Sequence, residues 1–171
     1  MRLAIVDFSK QNLVSPEDVK AAVQRLPKEH YARIRSIRYD PDRSLACEMA
    51  YMNNNPEHLK AGGTYFHDWS SQTSVVVIYP FRTQEEFFHT LYHEIGHHVF
   101  LQVLDQNLRD EWFALRNAEK TFVSARARKN SKEDFSETYS CCCFRVHLQY
   151  RTPKKTDFML NRVFQGLIGR R

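Results

Sequence analysis

Residues 83–103 constrain the fold of this chain more than any other stretch. Thr83 with Glu86 three residues later forms a capping box. Phe87, Phe88, Leu91, Tyr92, Ile95 and Val99 then recur at helical spacing as a wide apolar stripe. The pattern predicts one long helix from Thr83 to about Val103. Within it lies His93-Glu94-Ile95-Gly96-His97. Side chains four residues apart share a helical face, so both imidazoles can converge on one metal ion. With 8 His in 171 residues, chance would place such a motif in roughly 2 of 100 chains, so the motif is informative.

What precedes this helix reads as strands. Residues 3–8 form a short apolar run, Ile34, Ile37 and Tyr39 belong to a second strand, and residues 61–66 resume extended structure after a glycine turn. Ser74-Val75-Val76-Val77-Ile78-Tyr79, β-branched and closed by Pro80, is the clearest strand. Residues 45–52 read as a further strand with an ambiguous pattern. One helix interrupts this part: Ser15-Pro16-Glu17-Asp18 is a cap, a proline at the first position and an acid at the third, and Val19, Ala22, Val23 and Leu26 follow at helical spacing. Everything after residue 83 reads as helical, with segments over 109–122, from Ser131 onward, and over 157–168. Strands first and helices last is the order of a segregated α+β domain. The 171 residues, 42% hydrophobic and 13% aromatic, suit one domain with one core, strand-rich over about 1–82 and helical over about 83–171.

Two histidines do not complete a catalytic zinc site, which needs a third protein ligand and an open position for water. Zn2+ brings the pKa of such a water towards ~7, and Glu94 is placed to take its proton as the water attacks a carbonyl. A second histidine-based extension of the motif is absent, because His97 is followed by His98-Val99-Phe100-Leu101-Gln102-Val103. The later run Glu133-Asp134-Phe135-Ser136-Glu137 offers two glutamates on one helical face, on a helix capped by Ser131. One of them can bind the metal while the other hydrogen-bonds a ligand imidazole and fixes its tautomer.

The pairing of His93-Glu94-Ile95-Gly96-His97 with Asn130-Ser131-Lys132-Glu133-Asp134-Phe135-Ser136-Glu137 resembles the small gluzincin peptidases. That group includes the anthrax lethal factor catalytic domain and the Pro-Pro endopeptidases. The resemblance covers roughly residues 83–143, with a looser match in the preceding strands. It implies a zincin-like fold and zinc-dependent cleavage of a peptide bond. It also implies Glu133 as the third zinc ligand beside His93 and His97, Glu94 as the catalytic base, and Glu137 as the support of His93. An upstream strand, either residues 63–66 or 75–79, would pair with an extended protein or peptide substrate. The family carries a tyrosine seven residues before the ligand glutamate, whose phenol supports the oxyanion. Here that position is Arg126, a preformed donor that can stabilise an oxyanion by charge, an effect worth about 3 kcal/mol.

Two other classes make different predictions. A catalytically impaired zinc-binding module would bind the metal without cleaving peptides. A nucleic-acid-binding domain would draw on the basic excess of 25 Lys+Arg over 20 Asp+Glu. The basic residues cluster at Arg126, Arg128 and Lys129 and in a tail holding Arg151, Lys154, Lys155, Arg162, Arg170 and Arg171, but without helix-turn-helix or finger spacing. They read as a solvated basic face, and nucleic acid is not favoured as a partner. No apolar run approaches the roughly 18 residues of a membrane-spanning helix. The opening four apolar residues, Leu3-Ala4-Ile5-Val6 before Asp7, are too short for a secretory core. Cys141, Cys142 and Cys143 are consecutive and Cys47 stands apart, so reduced thiols and a cytoplasmic location are expected.

Overall fold

Ser15 and Asp18 open the first helix reciprocally. Ser15 Oγ accepts the Asp18 N–H at 3.1 Å and the Asp18 carboxylate accepts the Ser15 N–H at 3.0 Å, satisfying two donors that the helix itself cannot. This helix, α1 (Pro16–Gln24), belongs to a computed structural model that describes residues 3–144 and 146–166. The architecture is α+β. The chain divides into two compact units, one of Met1–Arg25 with Ala32–Leu91 and the other of Leu26–Tyr31 with Tyr92–Arg171.

The first unit is built on a four-stranded sheet in the order β1 (Ala4–Val6), β2 (Ile34–Tyr39), β4 (Thr73–Ile78), β3 (Gly63–Asp68). β1, β2 and β4 are parallel, while β3 runs antiparallel to β4 with Gly63 opposite Ile78 and Asp68 opposite Thr73. In β4, Val76, Val77 and Ile78 are all buried, as a strand covered on both faces requires. Phe8, Tyr39, Phe81 and Phe87 form an aromatic group beside it. Phe87 lies edge-on to Phe8 with centroids 5.7 Å apart and is tilted against Phe81 at 5.0 Å.

Residues 44–52 are helical, α2 (Ser44–Met52), and not the strand their sequence suggested. Leu45, Ala46, Glu48, Met49, Ala50 and Met52 favour helix intrinsically, and small Ala46 is the residue buried against Val77 and Tyr79. The expected glycine turn is also differently motivated. Neither Gly62 nor Gly63 takes a positive φ, and a Cβ on Gly62 would stand 3.0 Å from Thr90 Oγ1, so close approach is what favours glycine there.

The second unit is helical. It contains the end of α3 (Gln84–His98), a π-helical turn (Val99–Val103), α4 (Gln106–Ala118), α5 (Ser131–Cys143) and α6 (Pro153–Phe158), the last running into a second π-helical turn (Met159–Val163). α4 starts ahead of the expected residue 109 because Asp105 accepts the Leu108 N–H at 2.8 Å. α6 begins at Pro153, with proline in the first turn. Leu167 and Ile168, which end the expected last helix, lie outside the described residues, as do Arg170 and Arg171. Every residue of α5 from Asp134 to Cys142 is buried, so this helix is the axis of the unit. Phe100 and Trp112 pack against its Phe135, with Trp112 edge-on to Phe135 at 5.2 Å. Cys141 packs with Val123 and Ala127, and Cys141 and Cys142 are buried free thiols. No helix among the described residues is long and apolar enough to cross a membrane.

Candidate metal centre

The helix carrying the first two candidate ligands begins as its sequence indicates, with one change of partner. Thr83 Oγ1 accepts the Glu86 N–H at 3.0 Å, while the Glu86 carboxylate reaches the N–H of Arg82, at 2.8 Å. Asn130, and not Ser131, caps α5. Its side-chain oxygen accepts the N–H groups of Lys132 and Glu133 at 3.0 and 2.9 Å. Glu133 and Asp134 therefore sit in the first turn, where the helix dipole favours acids.

α3 and α5 meet at Gly96. A Cβ there would lie 2.9 Å from Ser136 Cα and 3.3 Å from its carbonyl oxygen, a separation that backbone atoms cannot relax away. The missing side chain lets the two helices touch within one turn of the candidate ligands His93, His97 and Glu133. One donor atom each from His93, His97 and Glu133 then falls within 4.8 Å of the others. His93 Nε2 is 3.1 Å from His97 Nε2 and 3.3 Å from Glu133 Oε2, and His97 Nε2 is 3.5 Å from Glu133 Oε1. Bonds of ~2 Å to a tetrahedral ion would place its ligands about 3.3 Å apart. Two imidazole nitrogens and a carboxylate at these separations fit zinc.

Glu137, one turn after Glu133, places a carboxylate oxygen 2.8 Å from His93 Nδ1 as an ion-pair contact. A carboxylate there favours a proton on Nδ1, so Nε2 is the nitrogen that would lose its proton to a metal and face the other donors. Burial pulls the His93 pKa down, but the hydrogen bonds with Glu133 and Glu137 and the charge of Glu94 outweigh it and hold the metal-free imidazole at about 9. Burial pushes Glu133 up, yet its bonds to His93 and His97 and the charges of His97 and Arg126 keep it well below the usual carboxylate range. Glu94 is 2% exposed, and its Oε1 has no hydrogen-bond partner among the described residues. Its charge acts on both His93 and Arg126.

Arg126 lies in a short 3-10 turn (Arg126–Arg128) before α5. Its Nε donates to Glu133 Oε2 at 2.6 Å, so its first partner is the candidate ligand itself. Sequence reasoning missed the neighbours on the far side of α5. Lys155, assigned by sequence to a solvated basic face, is fully buried and pairs with fully buried Asp134 at 2.9 Å. Only Asp134's position beside Glu133 hinted at this, since a lysine in a basic tail carries no sign of burial.

These residues define a centre able to bind a divalent metal in an α+β chain. The chain resembles in structure a Bacteroides caccae protein whose crystal structure is described as that of a "putative zinc-binding metallo-peptidase", with 13% identity and a TM-score of 0.45 over 94% of this chain and 79% of that one. No family model matches the chain. No curated protein matches it either.

Proposed function

We propose that this chain is a zinc-dependent endopeptidase of gluzincin type, with residues 1–171 forming one zincin-like domain. The convergence of His93, His97 and Glu133 on one point, with buried Glu94 adjoining, carries the reading. Zinc bound there would supply Lewis acidity for a water and the scissile carbonyl. Glu94 would take the proton of the attacking water and pass it to the leaving amine. Glu137 would hold His93 in its ligating tautomer. Arg126, tethered to Glu133 through Nε and with a side chain 39% exposed, would offer its outer N–H groups to the oxyanion. The substrate would be a protein or peptide bound in extended form. Reduced Cys141 and Cys142 suit a cytoplasmic setting.

The Arg126–Glu133 contact also favours a second reading, a zinc-binding regulatory module with impaired catalysis, since it occupies the guanidinium on a ligand. One experiment separates the two. Glu94→Gln, purified untagged, should retain about one zinc per chain by elemental analysis and lose 10²–10⁴-fold in cleavage of a peptide library. Zinc without cleavage even in the wild-type chain selects the module, and full activity in the variant removes Glu94 from the mechanism.

A further inference from the structure

The segment between α4 and α5 carries Arg126, yet apart from one short turn it has no regular structure of its own. Its place must be set by side chains. Lys155 Nζ donates to the Thr121 carbonyl at 2.7 Å, pairs with Asp134 Oδ2 at 2.9 Å and lies 4.2 Å from the centroid of the Phe122 ring. Arg116 approaches the same carboxylate at 3.4 Å, donates to the Arg128 carbonyl at 3.0 Å and faces the same ring. A buried ion pair is costly unless its geometry is good and further hydrogen bonds complete it. Here the extra contacts of both cations go to backbone or ring atoms on either side of Arg126.

We propose that Lys155 is a positioning residue for the metal centre. Through Asp134 on α5 and through Thr121 and Phe122 it fixes the 119–128 segment, and so holds Arg126 at Glu133. Asp134 and Glu133 are consecutive, so one turn of α5 answers to the buried cations through one residue and to the metal through the next. The expected kinetic consequence rests on the peptidase reading. The fixation of the segment does not.

The test compares backbone amide exchange and cleavage in the zinc-loaded chain of 171 residues. Lys155→Met combined with Asp134→Asn replaces the pair with near-isosteric uncharged residues. Phe122→Leu is the milder variant, which keeps an apolar contact and removes the ring, should the double variant fail to fold. Amides 121–128 should exchange at least about 10-fold faster while those of α5 keep their protection. The kcat/KM should fall to the level of Arg126→Ala, with no further loss when the changes are combined. Unchanged exchange over 121–128 in a folded variant would overturn the proposal. So would faster exchange with kcat/KM kept at the wild-type level. A wild-type chain that cleaves no peptide counts against the peptidase reading alone, because exchange still decides whether Lys155 fixes the segment.

Discussion

His93 meets two different demands through its two nitrogens. Nε2 faces His97 and Glu133, and Nδ1 is held by Glu137 at 2.8 Å. Glu137→Ala would remove the carboxylate paired with the buried Nδ1 and free the ring to rotate. Zinc affinity, measured by competition with a chromophoric chelator, should fall 10–100-fold while the fold is retained. Unaltered affinity would mean that Glu137 only fills space. At this scale the four-residue spacing made His93 and His97 legible, because helix geometry alone brings them together. Glu133 and Glu137 were legible as a pair on one face, but their roles were assigned by resemblance. The contact of Arg126 with Glu133 was not legible, since it depends on where an irregular segment is pinned. Nor was the burial of Lys155, whose partner lies 21 positions away in sequence at Asp134.

Among the elements, the α3–α5 crossing and the seat of His30 decide the most. Gly96→Ala would drive a Cβ to 2.9 Å from the Ser136 backbone, so the helices must separate and carry His97 away from Glu133. A loss of about 1–3 kcal/mol in chemical denaturation is expected, together with weaker zinc binding; a variant as stable as wild type would show that the crossing is slack. Histidine 30 joins the Leu26–Tyr31 piece to its own unit. Tyr139 O–H donates to Nδ1 at 2.9 Å, and Nε2–H donates to the Val163 carbonyl at 3.2 Å. Burial pulls its pKa from 6.5 to about 4, against the opposing effects of the Val163 carbonyl and the Glu29 charge. The unfolded chain therefore binds the extra proton more readily, and stability rises with pH across this window. The His30 contribution is fully present above about 6.5 and lost as pH falls through 4, to a limit of about 3 kcal/mol. Melting temperatures from pH 7 to 4 should decline more steeply in the wild-type chain than in His30→Gln; parallel curves would remove His30 as the cause. Capping made α1 and α3 legible, and α5 with its cap placed one residue late at Ser131 in place of Asn130, whereas α2 was misread because its helix-forming residues bury only Ala46 and leave no strong apolar stripe.

For the whole chain, the order of strands before helices was legible because the change from β-branched runs to helical spacing is abrupt at Pro80. The membership of the units was not, since Leu26–Tyr31 groups with Tyr92–Arg171 and α3 is shared by both. All of the candidate ligands lie in the second of these units, on two helices whose separation fixes the donor distances. A metal that binds only when α3 and α5 are in place binds the native state and not the unfolded one, so it must raise stability by mass action. Free zinc at 100 times its dissociation constant adds about 2.7 kcal/mol, which for a chain of this size is a rise of roughly 5–10 °C in melting temperature. The shift should grow with the logarithm of free zinc, disappear with a chelator, and be absent in His93→Ala. Because Glu94 is not a ligand in this arrangement, Glu94→Gln should keep the whole shift. A chain whose melting is indifferent to zinc in all three forms would not contain the centre described. A shift retained in His93→Ala would place the metal elsewhere.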